Sequence, residues 1–93
     1  AIFRARHVRV ERFRCLDLGR WQFAFHACNF EDLHINDVEI RGLKDGIHLG
    51  RGRRFTIRNA LFQTFDDAIA LNAHDYATSN PDDNTALHSH VWP

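Results

Sequence analysis

Apolar and polar residues alternate in short runs along this chain, and the runs repeat. Leu33-His34-Ile35 and Phe55-Thr56-Ile57 read inward, outward, inward, and so do Ile47-His48-Leu49 and Ile69-Ala70-Leu71. A period of two is the mark of a strand with one face buried, not of a helix. Val, Ile and Phe dominate the inward positions, as a pleated surface prefers. Residues 33–50 and 55–72 can be laid over one another at a constant offset of 22 residues, without a gap. Leu33 then falls on Phe55, Ile35 on Ile57, Ile40 on Phe62, Leu43 on Phe65, Ile47 on Ile69 and Leu49 on Leu71. Asp45 falls on Asp67. Self-similarity at a fixed period of this size predicts a stack of repeating units.

A weaker copy precedes the pair. Val8-Arg9-Val10 matches Leu33-His34-Ile35 at an offset of 25, and Phe13, Cys15 and Leu18 carry that offset onto Val38, Ile40 and Leu43. Phe23-Ala24-Phe25 is read 24 residues before Ile47-His48-Leu49, which puts one extra residue near Gly19-Arg20-Trp21. About three coils of roughly 22–25 residues follow, near 7–30, 31–52 and 53–73. Three short strands in each coil leave no room for a crossover helix. The chain must turn corners, helped by Gly42, Gly46, Gly50, Gly52, Asn59 and Asn72, and return one layer up. This predicts an all-β, parallel β-helix with like residues stacked in internal columns. Val10, Ile35 and Ile57 should share one column, and Phe23, Ile47 and Ile69 another. A two-layer β-sandwich would instead need antiparallel hairpins and would not explain the constant offset. Residues 74–84 are polar and rich in turn formers, so they read as a long loop, and 85–93 as the start of a further coil. The chain opens in apparent strand and contains no Met, so it reads as a piece of a longer protein.

Twelve basic and twelve acidic residues cancel, so no overall field argues for nucleic acid. No apolar run is long enough to span a membrane as a helix. Cys15 and Cys28 fit no zinc or redox spacing, and both are expected to be free and at least partly buried.

The residues that could carry chemistry are carboxylates. The repeat sets Asp45 over Asp67 and puts Asp66 beside them, stacked on Lys44. Carboxylates one strand spacing apart cannot all ionise cheaply, and Asp67, flanked by the other two, should be the hardest to ionise. A carboxylic acid beside an ionised carboxylate is what cleavage of a glycosidic bond requires. The bland alternative is a turn whose Asp residues bond their own backbone. Strand parity would point Asp45 and Asp67 into the core, so a corner just before Gly46 and Ala68 is expected to turn both outward. His48 is expected on the outside, in a column with Ala24 and Ala70, close to the carboxylates. Arg51 and Arg53 make the turn after Gly50 basic and could pair with uronate carboxylates. His74 and Tyr76, in the polar loop, are further candidates for substrate contact. No metal-ligand spacing of His is present.

Lys44-Asp45-Gly46-Ile47-His48-Leu49-Gly50, followed by Phe65-Asp66-Asp67-Ala68-Ile69-Ala70-Leu71-Asn72, resembles the family 28 glycoside hydrolases, the polygalacturonases and their relatives. Their pattern is Asn-Thr-Asp with an Asp-Asp pair 21 and 22 residues on, which is the spacing of Asp45 to Asp66 and Asp67. The resemblance covers roughly residues 33–73. It implies a right-handed parallel β-helix of the pectin-lyase-like superfamily, secreted, periplasmic or at the cell surface, that cleaves an acidic polysaccharide. Asp67 would be the general acid, with Asp45 and Asp66 holding the attacking water in an inverting mechanism. Leu43-Lys44 stands where the family has Asn-Thr. The family's Gly-His-Gly has only Leu87-His88-Ser89 at the matching distance, and its Arg-Ile-Lys is missing. The resemblance implies no cofactor. A pectate-lyase-like relative would instead hold calcium on Asp45, Asp66 and Asp67. The other alternative is a non-catalytic carbohydrate-binding or structural module of the tail-spike or adhesin kind.

Overall fold

The computed structural model describes residues 1–16 and 23–72. Seven strands run in chain order: β1 (Ile2–Phe3), β2 (Arg6–Cys15), β3 (Phe23–Cys28), β4 (Phe30–Gly42), β5 (Asp45–Leu49), β6 (Gly52–Thr64) and β7 (Ile69–Leu71). The chain switches sheets at every strand. The odd strands form one sheet, β1-β3-β5-β7, and the even strands another, β2-β4-β6. Every pairing is parallel. The described residues are therefore all β, in two parallel sheets, and antiparallel hairpins are absent among them.

The offset of 22 holds across β4–β6 and β5–β7: Leu33 pairs Phe55, Ile35 pairs Ile57, Ile40 pairs Phe62 and Ile47 pairs Ile69. The offset of 25 holds across β2–β4, where Val8 pairs Leu33 and Cys15 pairs Ile40. The first repeat differs from expectation in its second half. Phe25, not Phe23, pairs Ile47, and His26 pairs His48, an offset of 22 rather than 24. Three extra residues (25 − 22) therefore lie between Cys15 and Phe23. Phe23 pairs Asp45 instead, so the column is Phe25–Ile47–Ile69. The expected loop over 74–84 and the coil start at 85–93 lie outside the described residues.

The long even strands bend at fixed places. In β4 the fully buried side chains step by two from Leu33 to Ile35 and from Val38 to Ile40, but by three from Ile35 to Val38. Asp37, inside that longer step, has φ of 58°. Asp32, between buried Phe30 and Leu33, has φ of 56°. The pairing with β2 and β6 skips both residues. His7 and Arg12 in β2, and Arg54 and Asn59 in β6, occupy the matching positions with φ between 51° and 56°. One left-handed residue resets strand parity, so two stacked columns of them turn each long strand through two corners. The conformation costs a side-chain-bearing residue about 1 kcal/mol or more. Stacked side chains offset part of it, as where Arg54 Nε donates to Asp32 Oδ1 at 2.5 Å.

The core is a single sealed layer between two half-open ones. Leu33, Ile35, Val38, Ile40, Ile47 and Leu49, all from the middle repeat, are at most 3% exposed. Val8, Val10 and Phe13 below, and Ile57 and Phe62 above, are only partly buried against it. Leu43 and Phe65 lie one repeat apart, as the offset requires, but both side chains are exposed rather than inward. Cys15 and Cys28 are free, Cys28 fully buried. Gly46 is tightly packed: a Cβ there would lie 2.6 Å from the Ala68 carbonyl oxygen and 2.7 Å from the Phe62 ring. Gly46→Ala should therefore cost about 1–3 kcal/mol, the usual range for overpacking. A shift in the urea midpoint checks it, and an unchanged midpoint would show that this approach is not close.

Candidate functional site

The turns that lead into β5 and β7 bring three carboxylates together. Asp45 opens β5, and Asp66 and Asp67 sit just before β7, the strand paired with β5. One oxygen from each of the three lies within 4.8 Å of the other two. The backbone fixes this stacking, since the Gly46 N–H donates to the Asp67 carbonyl at 2.8 Å and the Ile47 N–H to the Ala68 carbonyl at 3.0 Å. The Thr64 hydroxyl donates to the Asp66 carbonyl at 3.0 Å and tightens the turn leaving β6.

Asp66 and Asp67 are exposed, as expected, but Asp45 is not: its side chain is 12% accessible. It tolerates burial because both oxygens have partners. Oδ1 accepts the Asp67 N–H at 3.3 Å, a donor it shares with Asp66 Oδ1 at 3.2 Å. Oδ2 lies 3.3 Å from Nδ1 of His48. With Nδ1 as donor to this carboxylate, Nε2 of His48 is left to accept from Asn72 Nδ2, at 3.4 Å.

His48 is close to the carboxylates, as expected, but it is buried rather than outward, at 5% exposure. Its ring packs 4.8 Å from Phe23 and 5.2 Å from His26, and His26 in turn meets Phe3 edge-on at 5.3 Å. Its column partners are His26 and Ala70, not Ala24. A polar residue between two inward ones normally faces solvent, and here stacked rings and a carboxylate replace the water.

Arg51 and Arg53 are not brought to the carboxylates. They precede β6 or open it, whereas Asp66 and Asp67 follow it. Arg51 is exposed, and its carbonyl accepts from the Asn29 N–H. Arg53 Nη2 donates to Glu31 at 3.0 Å, while Arg54 bonds both Glu31 and Asp32. Hydrogen bonds from Arg53 and then Arg54 hold Glu31 below its ordinary value, and the Arg54 hydrogen bond does the same for Asp32. Both carboxyls are depressed on folding, so their contribution is complete above the ordinary values of 4.5 and 3.8 and is lost as pH falls below them. Comparing the urea midpoints of Arg54→Ala and the unaltered chain should show a steady gap from about pH 7 to about pH 5 that closes below about pH 4. A gap that persists to about pH 2 would remove this corner as its origin.

His74 and Tyr76 lie outside the described residues. Sequence reasoning missed Asn72 and Thr64, which hold the site from either end. Asn72 ends the repeat where Gly50 ends the previous one, and that replacement of Gly by an amide was the available signal. It also missed a groove of about 730 Å³ lined by Leu16, Leu43, Gln63 and Phe65, among others. Phe65, the residue before Asp66, is 85% exposed there.

Three carboxylate oxygens this close could share one water, since 4.8 Å is about the span of two hydrogen bonds meeting at a single atom. They could equally take a hard divalent cation, which prefers all-oxygen donors. Among the described residues no helix is long and apolar enough to cross a membrane. Comparison of the chain with protein-family models, curated proteins and solved structures finds no match.

Proposed function

We propose that this chain is part of a right-handed parallel β-helix that hydrolyses glycosidic bonds in an acidic polysaccharide, with Asp45, Asp66 and Asp67 as its working carboxylates. The observation that carries this reading is the approach of the three oxygens to within 4.8 Å, two of the residues facing solvent and the third held from behind by His48. On this reading Asp67 donates the proton to the leaving oxygen. Asp66 and Asp45 hold the water, and His48 fixes the rotamer of Asp45. The carboxylates stand closer than the roughly 6.5–9.5 Å usual when a water is interposed between acid and base. The water is therefore held against them as a group rather than between an opposed pair. Phe65 supplies an exposed ring beside Asp66 for a sugar face. The alternation of the chain between two parallel sheets supports the β-helix. Further coils of the same protein would seal the half-open layers, and a polysaccharide substrate would place the protein outside the cytoplasm.

One observation favours a second reading. Both oxygens of Asp45 are already engaged inside the fold, as they would be in a turn-capping ladder of a structural or glycan-binding module. Reducing-end release from polygalacturonate and other uronate polymers separates the two, measured on the protein that carries this stretch. Release without added metal supports hydrolysis. An unsaturated product that requires calcium would replace it with a lyase reaction at the same residues. Binding without release would leave the structural reading standing.

A further inference from the structure

The corner that leads from the odd sheet into the even one is basic. Arg4 precedes β2, Arg51 precedes β6, and Arg6, Arg53 and Arg54 stand at the start of those strands. Against these five arginines the corner holds two carboxylates, Glu31 and Asp32, both on β4. The register puts Arg6 on one side of Glu31 and Arg53 on the other. Glu31 Oε2 lies 3.4 Å from Arg6 Nε, and Oε1 lies 3.0 Å from Arg53 Nη2. Each guanidinium is thus held through one nitrogen and keeps further N–H donors. Their side chains are 75% and 67% exposed. Arg4 is exposed too, and makes no ion pair among the described residues.

Between these arginines lies a notch of about 250 Å³, lined by Arg4, Arg6, Asn29, Phe30, Glu31 and Arg53. That is about the volume of eight waters, room for one sugar unit. Three successive repeats supply the lining, with Asn29, Phe30 and Glu31 of the middle one between the arginines of its neighbours. A notch built from matching places of stacked repeats opens sideways. Strands added beyond β2 or β6 would lengthen its rims and would not roof it.

The lining selects the ligand. Three arginines around one carboxylate favour an anion, and a guanidinium takes a carboxylate through two parallel bonds. The oxygens of Glu31 have second lone pairs that hydroxyl groups can fill. A uronate carries both a carboxylate and hydroxyl donors, whereas a phosphodiester backbone offers acceptors alone.

We propose that this notch is a second glycan site, separate from Asp45, Asp66 and Asp67, that binds one uronate unit of an acidic polysaccharide. Arg4, Arg6 and Arg53 hold the carboxylate, and Glu31 accepts from a hydroxyl. The choice of polymer rests on the function proposed above, and the notch itself does not. β5 separates the two sites, since Asp45 opens it and the basic corner follows Leu49, five residues or about 16 Å along. A polymer that reaches both is kept near the carboxylates by its second contact.

Titration of the isotope-labelled 93-residue chain with tri-galacturonate, read by backbone amide shifts, tests this. Saturable shifts are expected at Arg6, Asn29, Glu31 and Arg53, with an affinity that falls about threefold or more from low to high salt. A neutral galactose trimer should leave these amides unmoved. Arg4→Gln should weaken the acidic trimer about fivefold or more, and it removes no ion pair seen among the described residues. Asp67→Asn should leave binding at the notch unchanged, which separates this site from the carboxylates. Binding at the notch by a protein that hydrolyses no uronate polymer would support this site and end only the hydrolytic reading. Shifts confined to the surroundings of Asp66 and Asp67 would overturn the second site, as would no shifts at all. Equal shifts with the neutral trimer, or tighter binding of inorganic phosphate or a DNA oligonucleotide, would overturn its assignment to a uronate.

Discussion

Ile35→Ala should destabilise the protein by about 3–4 kcal/mol, and Ile57→Ala, one layer up in the same column, by about half as much. The two residues are chemically identical and directly paired, so side-chain type and strand propensity cancel in the comparison. What differs is burial. Ile35 is 2% exposed in the sealed middle layer, while Ile57 lies in the half-open layer above it. Removing three carbons from Ile35 forfeits their transfer from water and leaves a cavity, because stacked strands on both sides cannot collapse into it. The same cut at Ile57 opens toward a less crowded layer and creates less void. Denaturant unfolding of both variants decides the matter. Equal losses would mean that the upper layer is as well covered as the middle one.

Asp67→Asn in the protein that carries this stretch should lower the hydrolytic rate about 10²–10⁴-fold, the range for loss of a general acid. Asp67 is exposed and lends the fold its backbone N–H and carbonyl rather than its side chain, so the variant should keep its unfolding midpoint. Asp45→Asn should behave differently. Its carboxylate accepts from His48 and from the Asp67 backbone, so this variant should lose stability along with rate. Wild-type turnover in both variants on every uronate polymer that the protein cleaves would end the catalytic reading. The carboxylates would then be a capping ladder.

The columns were legible because parallel stacking places chemically similar residues directly over one another. The self-match at an offset of 22 runs unbroken from Leu33 to Asn72, and only strands paired in parallel keep such an offset constant. The proximity of Asp45, Asp66 and Asp67 followed from the same offset. Three features were not legible. The register of β3 was misread because the extra residues of the first repeat fall between Cys15 and Phe23, where no repeated residue marks the gap. Ala24 matches Ala70 in chemistry, which made the wrong alignment attractive. The burial of His48 was hidden because parity and polarity together argue for solvent, and that of Asp45 because parity points it inward but a buried carboxylate is costly without partners. Each instead supplies the other's hydrogen bond, a pairing that spacing alone does not announce. Leu43 and Phe65 show the reverse error: they stack as the period requires, yet they lie on the turn after the long strand, where the inward face has ended.

Isotope-edited NOE spectroscopy on the chain reads directly whether β6 and β7 pair in parallel with β4 and β5, with Asp67 one layer above Asp45. Parallel stacking requires interstrand contacts at a constant sequence separation of 22, linking Ile35 with Ile57, Ile47 with Ile69 and His48 with Ala70. Contacts whose separation shrinks steadily along the strand, as antiparallel pairing of 45–50 with 67–72 would give, would contradict it.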